Sequence, residues 1–345
     1  MATRKEEKQL EKERKAAIKA RFKKMKEEGL ENYLTPEQIR YNRNQKLVGM
    51  VWPIFRFFIL FGLSFVILYP LIFMLSTAFR PSEQMSDPSV VWLPKTFTLS
   101  NISETWDVMN FGTTFFNTVR LNLISSCLQV VTCSLTGYGF ARFKFKAKGI
   151  LFAIVILMII VPPQITTIPL FLQYRYPFGM DLGGQGLIDS SLTMYLPALF
   201  ANGIKAGLFI FIFRQFFRGL PKELEDAAYL DGCGPLRTYI TVMIPNAKSS
   251  FLTVFLFSIV WYWNDFYVSS SFFSNGADNQ PVALVLKNLD KNLQRQLFNN
   301  QTISVRMIIV WLESGCILAI SPLLIMYVFL QRYFIEGVER SGLVA

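Results

Sequence analysis

The sequence predicts an all-α membrane protein with six transmembrane helices. Hydrophobic residues make up 52% of the 345 against 17% charged, a balance outside that of ordinary soluble domains. The apolar residues gather into six runs, each reaching or approaching the ~20 residues with which a helix crosses a bilayer. Basic residues collect on alternate connections between those runs, the asymmetry that fixes orientation in a membrane.

Residues 1–48 form a basic leader with 14 Lys/Arg against 8 Asp/Glu and no apolar run close enough to make a signal peptide. The spacing predicts a helix here, with Leu10, Ile18, Phe22 and Met25 as a weak apolar stripe and a second start at Thr35 and Pro36 with Gln38. We read it as a solvated cytoplasmic segment that touches anionic lipid, not nucleic acid, and fixes orientation. The first span lies near 52–77 and, with the outer loop behind it, makes up 49–111. A core of five spans fills 112–331, at 115–138, 149–171, 191–213, 249–270 and 308–331, and a tail follows at 332–345. Lys and Arg number about 25 on the leader, two inner loops and tail, and about 7 on the three outer loops. Both termini are therefore expected in the cytoplasm.

Several chemistries lack their residues. The sequence contains no histidine, which removes His-based acid–base catalysis and His metal sites. Cys127, Cys133, Cys233 and Cys316 show no paired spacing for zinc or a disulfide framework. No phosphate-binding glycine loop is present, so any nucleotide chemistry belongs to a partner. We assign no catalytic residue, metal site or cofactor to the chain itself.

Within the spans, Pro162 and Pro163 must break or kink the third helix, either to shape packing or to serve gating. Ser125, Ser126, Ser134, Thr136, Gly137 and Gly139 let the second span approach a neighbour closely. Polar groups in lipid are costly and mark a possible substrate pathway: Asn117, Asn122 and Gln129 in the second span, Trp261, Trp263, Asn264 and Asp265 in the fifth, and Glu313 in the sixth. An aromatic pair beside an amide and a carboxylate suits sugars, whose C–H faces stack on rings while their hydroxyls take hydrogen bonds. The same run also fits an interfacial aromatic belt.

The remaining polar island, 214–248, is punctuated by Pro and Gly between two apolar runs. Pro221 suits a helix start, and Glu223, Glu225 and Asp226 then face the positive end of its dipole. Leu224, Ala227 and Ala228 share a narrow face whose methyl groups let another protein approach the backbone. Gly232 and Gly234 turn the chain, Pro235 opens a second helix, and Pro245 interrupts it. A β-branched residue at Gly232 is expected to crowd that turn.

The phrase from Asp226, Ala227 and Ala228 to Gly232 and the later Pro245 resembles the coupling loop of importer-type ABC transporter permeases, with Asp226 one methylene shorter than the family's usual Glu. FNTVRLNLISS, GYGFARFKFKAKGILF, MIIVPPQITTIPLF, WNDF and QRYFIEGVERSG extend the likeness over most of residues 50–340. They are similar to the carbohydrate-uptake branch, including the smaller membrane subunit of the maltose importer. The resemblance implies a type I importer fold in a bacterial plasma membrane, with a cytoplasmic coupling helix. It implies two ATPase subunits carrying ATP and Mg, a second homologous permease paired with this one as a heterodimer, and an external sugar-binding protein. Glu225, Asp226, Ala227, Ala228, Gly232 and Pro245 would then couple to the ATPase. Asn275, Gly276, Asp278, Asn279 and Gln280 form an outer loop that would meet the binding protein or serve only as a polar connection. A secondary transporter using Asp265 and Glu313, or a membrane scaffold or insertase using the basic leader, would need no ATPase.

Overall fold

The computed structural model describes residues 36–87, 93–180, 185–274, 279–296 and 305–342, together with Glu13, Ala16 and Ala20. The expected leader stripe, Thr35, the loop residues Asn275, Gly276 and Asp278, and positions 343–345 lie outside the described residues. Every regular element among the described residues is helical. The chain forms two units, Met1–Pro70 and Leu71–Ala345.

Helix α1, Pro36–Ala78, carries Pro53 and Pro70 within its 43 residues. From Val51 onward it is long and apolar enough to cross a membrane. In the first unit Trp52, Phe55, Phe57, Phe58 and Phe61 are all exposed. A helix that is apolar all round meets lipid or other membrane helices.

The second unit is built on α3, Phe111–Arg142, which packs against α6 (Leu192–Leu199), α7 (Ala206–Gly219) and α10 (Lys248–Trp263). Preceding it, α2 (Ser100–Val108) packs against α14 (Val305–Gly342). Small residues explain the closeness of α3 and α7. A Cβ on Gly137 would lie 2.6 Å from the Phe213 Cβ and 3.0 Å from the Arg214 amide nitrogen. Ser125, Ser126 and Ser134 are buried, Thr136 is half-buried, and Gly139 has ordinary room around it. A core of Phe209, Phe213, Phe217, Met243 and Val254 fills the space beside them.

The third apolar run bends where the two prolines stand. Helix α4 (Lys148–Ile160) and helix α5 (Pro163–Arg175) meet at 103°. Val161 and Pro162 are extended because each precedes a proline, and Pro163 starts α5, where an N–H is not needed.

The fourth run is not one span as expected. It divides into α6 and α7, separated by residues 200–205, with left-handed backbone at Ala201 (φ 54°) and Lys205 (φ 60°). Neither piece reaches bilayer length alone. Freed carbonyls inside a membrane need partners, and α3 supplies them. Gln129 Nε2 donates to the Ile204 carbonyl at 2.6 Å, and Thr132 Oγ1 donates to that of Ala198 at 2.8 Å.

The fifth run also ends earlier than expected. Helix α10 stops at Trp263, residues 264–266 turn, and α11 (Tyr267–Phe272) begins. Helices α12 (Val282–Lys287) and α13 (Leu289–Gln296) lead to α14. Among the described residues three helices, within α1, α3 and α14, are long and apolar enough to cross a membrane, or up to five if each of two bent pairs is one span.

Candidate functional site

The polar island between α7 and α10 folds as a bent helix pair. Pro221 stands just outside the first helix, α8 (Glu223–Leu230), before the N-cap Lys222 and two residues ahead of the first helical position expected for it. Glu223, Glu225 and Asp226 occupy its first turn, where carboxylates oppose the positive dipole end. At the far end Gly232 takes φ 80°. Its N–H bonds the Tyr229 carbonyl at 3.0 Å and that of Cys233 bonds the Ala228 carbonyl at 2.9 Å, the paired closure that satisfies the last carbonyls of a helix.

Pro235 then opens α9, Pro235–Asn246. Its middle, Tyr239–Met243, winds as π-helix. Pro245 has no N–H to continue the α ladder, and the wider winding passes the bond from the Ile244 N–H to the Tyr239 carbonyl instead. Beyond Pro245 the chain turns by 82° into α10.

No atom lies within 4 Å of a Cβ placed on Gly232. Crowding is therefore not the reason for glycine there. The left-handed backbone is, and a side chain costs roughly 1–2 kcal/mol in that conformation. We expect Gly232→Ala and Gly232→Val to loosen the helix end alike, readable as faster proteolysis within 229–236. A much larger effect of valine would restore the crowding explanation.

One side of α8 faces its own chain. Glu225 and Ala228 are 4% and 6% exposed. The Tyr138 hydroxyl donates to Glu225 Oε1 at 2.8 Å. Arg142 Nε stands 3.1 Å from Oε2, an ion-pair contact without the alignment of a hydrogen bond. Arg142 Nη2 donates to the Leu220 carbonyl at 2.7 Å. One helical turn before Tyr138, Ser134 and Tyr239 share a hydrogen bond of 2.6 Å. Ser134, Tyr138 and Arg142 thus form a polar stripe at four-residue steps that ties α3 to both helices of the pair. The four-residue spacing is legible in the sequence, but nothing local marks Tyr138 or Arg142 as partners of α8.

The expected contact face therefore splits. Ala228 turns inward with Glu225 and Leu224 is half-buried, whereas Asp226, Ala227, Tyr229 and Leu230 are exposed, Leu230 by 89%. Leu236 and Ile240 on α9 are exposed as well. Small and apolar residues beside a carboxylate, held on a clamped support, can receive another protein.

The residues expected along a substrate pathway do not form one cluster. Asn122 Nδ2 donates to the Ile259 carbonyl at 2.9 Å, and Gln129 is fully buried against the broken α6–α7 segment. Trp263 is buried, with its Nε1 donating to the Ala319 carbonyl at 3.1 Å. Trp261 is exposed, with Lys205 Nζ 4.5 Å from its ring centre, so the two tryptophans do not make an aromatic pair. Two positions on a helix are about 200° apart, which puts them on opposite faces. Asp265 accepts the Ser269 N–H and hydroxyl, both at 2.8 Å, and the Val268 N–H at 3.2 Å, capping α11. Asn264 is exposed and bonds the Val260 carbonyl. Asn117 and Glu313 are half-buried. In the expected outer loop, Asn279 accepts a bond from Arg120 and Gln280 donates to the Ser274 carbonyl.

Fold and site together define a multi-pass helical membrane protein that carries a clamped polar helix pair between its apolar segments. Residues 133–340 match the family described as binding-protein-dependent transport system inner membrane component, and the chain belongs to that family. It is 28% identical over 284 residues to an arabinooligosaccharides transport system permease protein, AraQ, of Halalkalibacterium halodurans, covering 81% of this chain and 92% of that one. Identity is 27% over 276 residues with the melibiose/raffinose/stachyose import permease protein MelC of Bacillus subtilis, covering 79% and 90%. The fold also matches a chain in the crystal structure of a bacterial ABC transporter involved in the import of the acidic polysaccharide alginate. That match has a TM-score of 0.65 and 20% identity, and covers 85% of this chain and 98% of the other.

Proposed function

We propose that this chain is the permease subunit of an ATP-driven ABC importer for a sugar or oligosaccharide. Membership of the family and the sugars in the relatives' names support this reading. The observation that carries it is the exposed face of α8, with Asp226, Ala227, Tyr229 and Leu230 standing on a helix clamped to α3. An ATPase seated there would move α3 directly. Closure of an ATPase pair around ATP and Mg would swing the spans to face outward, and hydrolysis would return them.

In this reading the membrane part makes six crossings, with α6 and α7 together forming one broken crossing. Leader, coupling pair and tail are cytoplasmic. A second homologous permease completes the pathway, two ATPase subunits dock beneath, and an external binding protein delivers the sugar. The chain itself does no hydrolysis. Glu225 and Ala228 act by holding α8 in place, Asp226, Ala227 and Gly232 by shaping the docking face, and Pro245 by setting the bend. Of the pathway residues, Trp261 and Asn264 are exposed and are the ones proposed to meet substrate, while Asn117 and Glu313 are half-buried. A secondary transporter would need Asp265 free for proton or ion coupling, and its carboxylate is engaged in capping α11.

Purification of the chain with its cellular neighbours tests the proposal, with an ATP-binding subunit expected to travel with it. Asp226→Ala is expected to weaken that retention about tenfold or more, as loss of a charge-assisted hydrogen bond of about 1.5–3 kcal/mol would do. A chain that transports sugar with no ATPase attached would overturn it.

A further inference from the structure

The break between α6 and α7 places a cation inside the membrane part. Lys205 is exposed at the N-cap of α7. Its neighbour Ile204 is held by Gln129, which by helix rise lies roughly 27 Å from the Phe111 end of α3 and roughly 20 Å from the Arg142 end. Lys205 Nζ stands over the ring of Trp261. Trp261 follows Ile259 by two residues, and Ile259 is bonded by Asn122, roughly 16 Å from the Phe111 end. Both groups therefore lie at depths where hydrocarbon surrounds a crossing helix. An ammonium facing lipid there is costly, and charged groups at such depth face a pathway or a water-filled cavity.

Local chemistry does not explain a lysine at this position. Its backbone is left-handed, at φ 60°, which favours glycine or asparagine, and a cation at the positive end of a helix dipole is unfavourable. Residues that break local rules yet are held firmly mark functional positions. Lys205 is held firmly. A Cβ on Gly203 would stand 2.4 Å from the Tyr262 hydroxyl and 2.7 Å from Gln129 Oε1, so the missing side chain lets the break seat against both α3 and α10.

No acid answers the charge. Among the described residues the Lys205 side chain is in no ion pair or hydrogen bond. Asp265, four residues from Trp261, has its carboxylate engaged by Val268 and Ser269 at the start of α11. What Lys205 does meet is a ring, and one turn past Trp261 the amide of Asn264 is also exposed. A ring face takes the C–H face of a sugar and an amide takes its hydroxyls. The ammonium adds a demand that a neutral sugar leaves unmet.

We infer that Lys205 selects an anionic sugar, pairing with its carboxylate or phosphate while the sugar ring stacks on Trp261 beside Asn264. Lys205 exchanges the ring face for the anion, a stronger partner at low dielectric than the ring quadrupole. The inference rests on the sugar-importer reading and deepens it by naming the charge of the substrate. An acid on a second permease would also compensate Lys205, but it would have no use for the exposed ring and amide.

The test uses the transporter assembled with its partner subunits and binding protein in proteoliposomes. It is offered uronate-containing di- and trisaccharides, the same pool as neutral methyl esters, neutral disaccharides, and sugar phosphates, with imported sugars read by mass spectrometry. Import of the uronates or of the phosphates is expected, and which of them enters names the anion. Lys205→Gln should raise KM for that sugar about tenfold or more, as loss of a charge-assisted hydrogen bond does, and Lys205→Arg should be milder. Lys291→Gln, an exposed charge on α13, should leave KM within about twofold. Equal loss in that control would mean diffuse attraction and would overturn the inference. Separation of the permease pair by Lys205→Gln would assign the lysine to a subunit contact and also overturn it. Import of neutral sugars alone would overturn it while keeping the importer reading, whereas import of no sugar at all would remove that reading as well.

Discussion

Glu225→Ala is expected to abolish transport while leaving the chain inserted in the membrane. The carboxylate is buried between Tyr138 and Arg142, whose side chain is itself 10% exposed. Removing one partner of a buried ion pair commonly costs about 3–5 kcal/mol, because the other charge is left without compensation. Here that cost falls on the junction between α3 and α8. The core around Phe209, Phe213 and Phe217 does not include Glu225, so the membrane part should stay folded while the helix pair loses its fixed position. Glu225→Gln keeps an acceptor for the Tyr138 hydroxyl and should be milder. Uptake, ATP hydrolysis and membrane abundance measured together distinguish the outcomes. Uncoupled hydrolysis or lost ATPase with normal abundance is expected, and normal uptake would show that the clamp is dispensable.

The second large effect is expected at Gly137→Ala. The new methyl would stand 2.6 Å from the Phe213 Cβ and 3.1 Å from the Ile210 carbonyl. The nearest obstacles are Cβ and backbone atoms, which no rotamer change can move aside. Helices α3 and α7 must separate, and overpacking of this kind costs typically about 1–3 kcal/mol. Gly139→Ala, two residues along the same helix, meets nothing nearer than 4.0 Å and serves as the control. Thermal unfolding of the purified protein in detergent should fall clearly for the first variant and hardly change for the second. Equal behaviour would deny the close helix crossing.

Local chemistry made much of this fold legible. Pro162 and Pro163 announced the bend between α4 and α5, Gly234 and Pro235 the start of α9, and the acids of 223–226 the start of α8. These signals work through φ, missing N–H groups and helix dipoles, which need no knowledge of neighbours. The division of the fourth run was hidden, because Ala201 and Lys205 are not residues that advertise a left-handed backbone, and the carbonyls freed there are satisfied by Gln129 and Thr132 from a distant helix. The orientation of α8 was hidden for the same reason. Whether Glu225 or Asp226 turns inward is decided by Tyr138 and Arg142, some 80 residues earlier in the chain. For the tryptophans the signal lies in the sequence itself: a spacing of two on a helix separates Trp261 from Trp263.

An ATPase docked on the outer face of α8, as proposed, would lie within reach of that helix's exposed side chains. The most direct test places a photocrosslinking amino acid at Leu230, the most exposed position on that face, and at Ala228 on the inward side as control. With the transporter assembled in native membranes, a crosslink is expected from position 230 to an ATP-binding subunit and none from position 228. Crosslinks from position 230 that reach only lipid or this chain itself, in membranes that still take up the sugar, would contradict it.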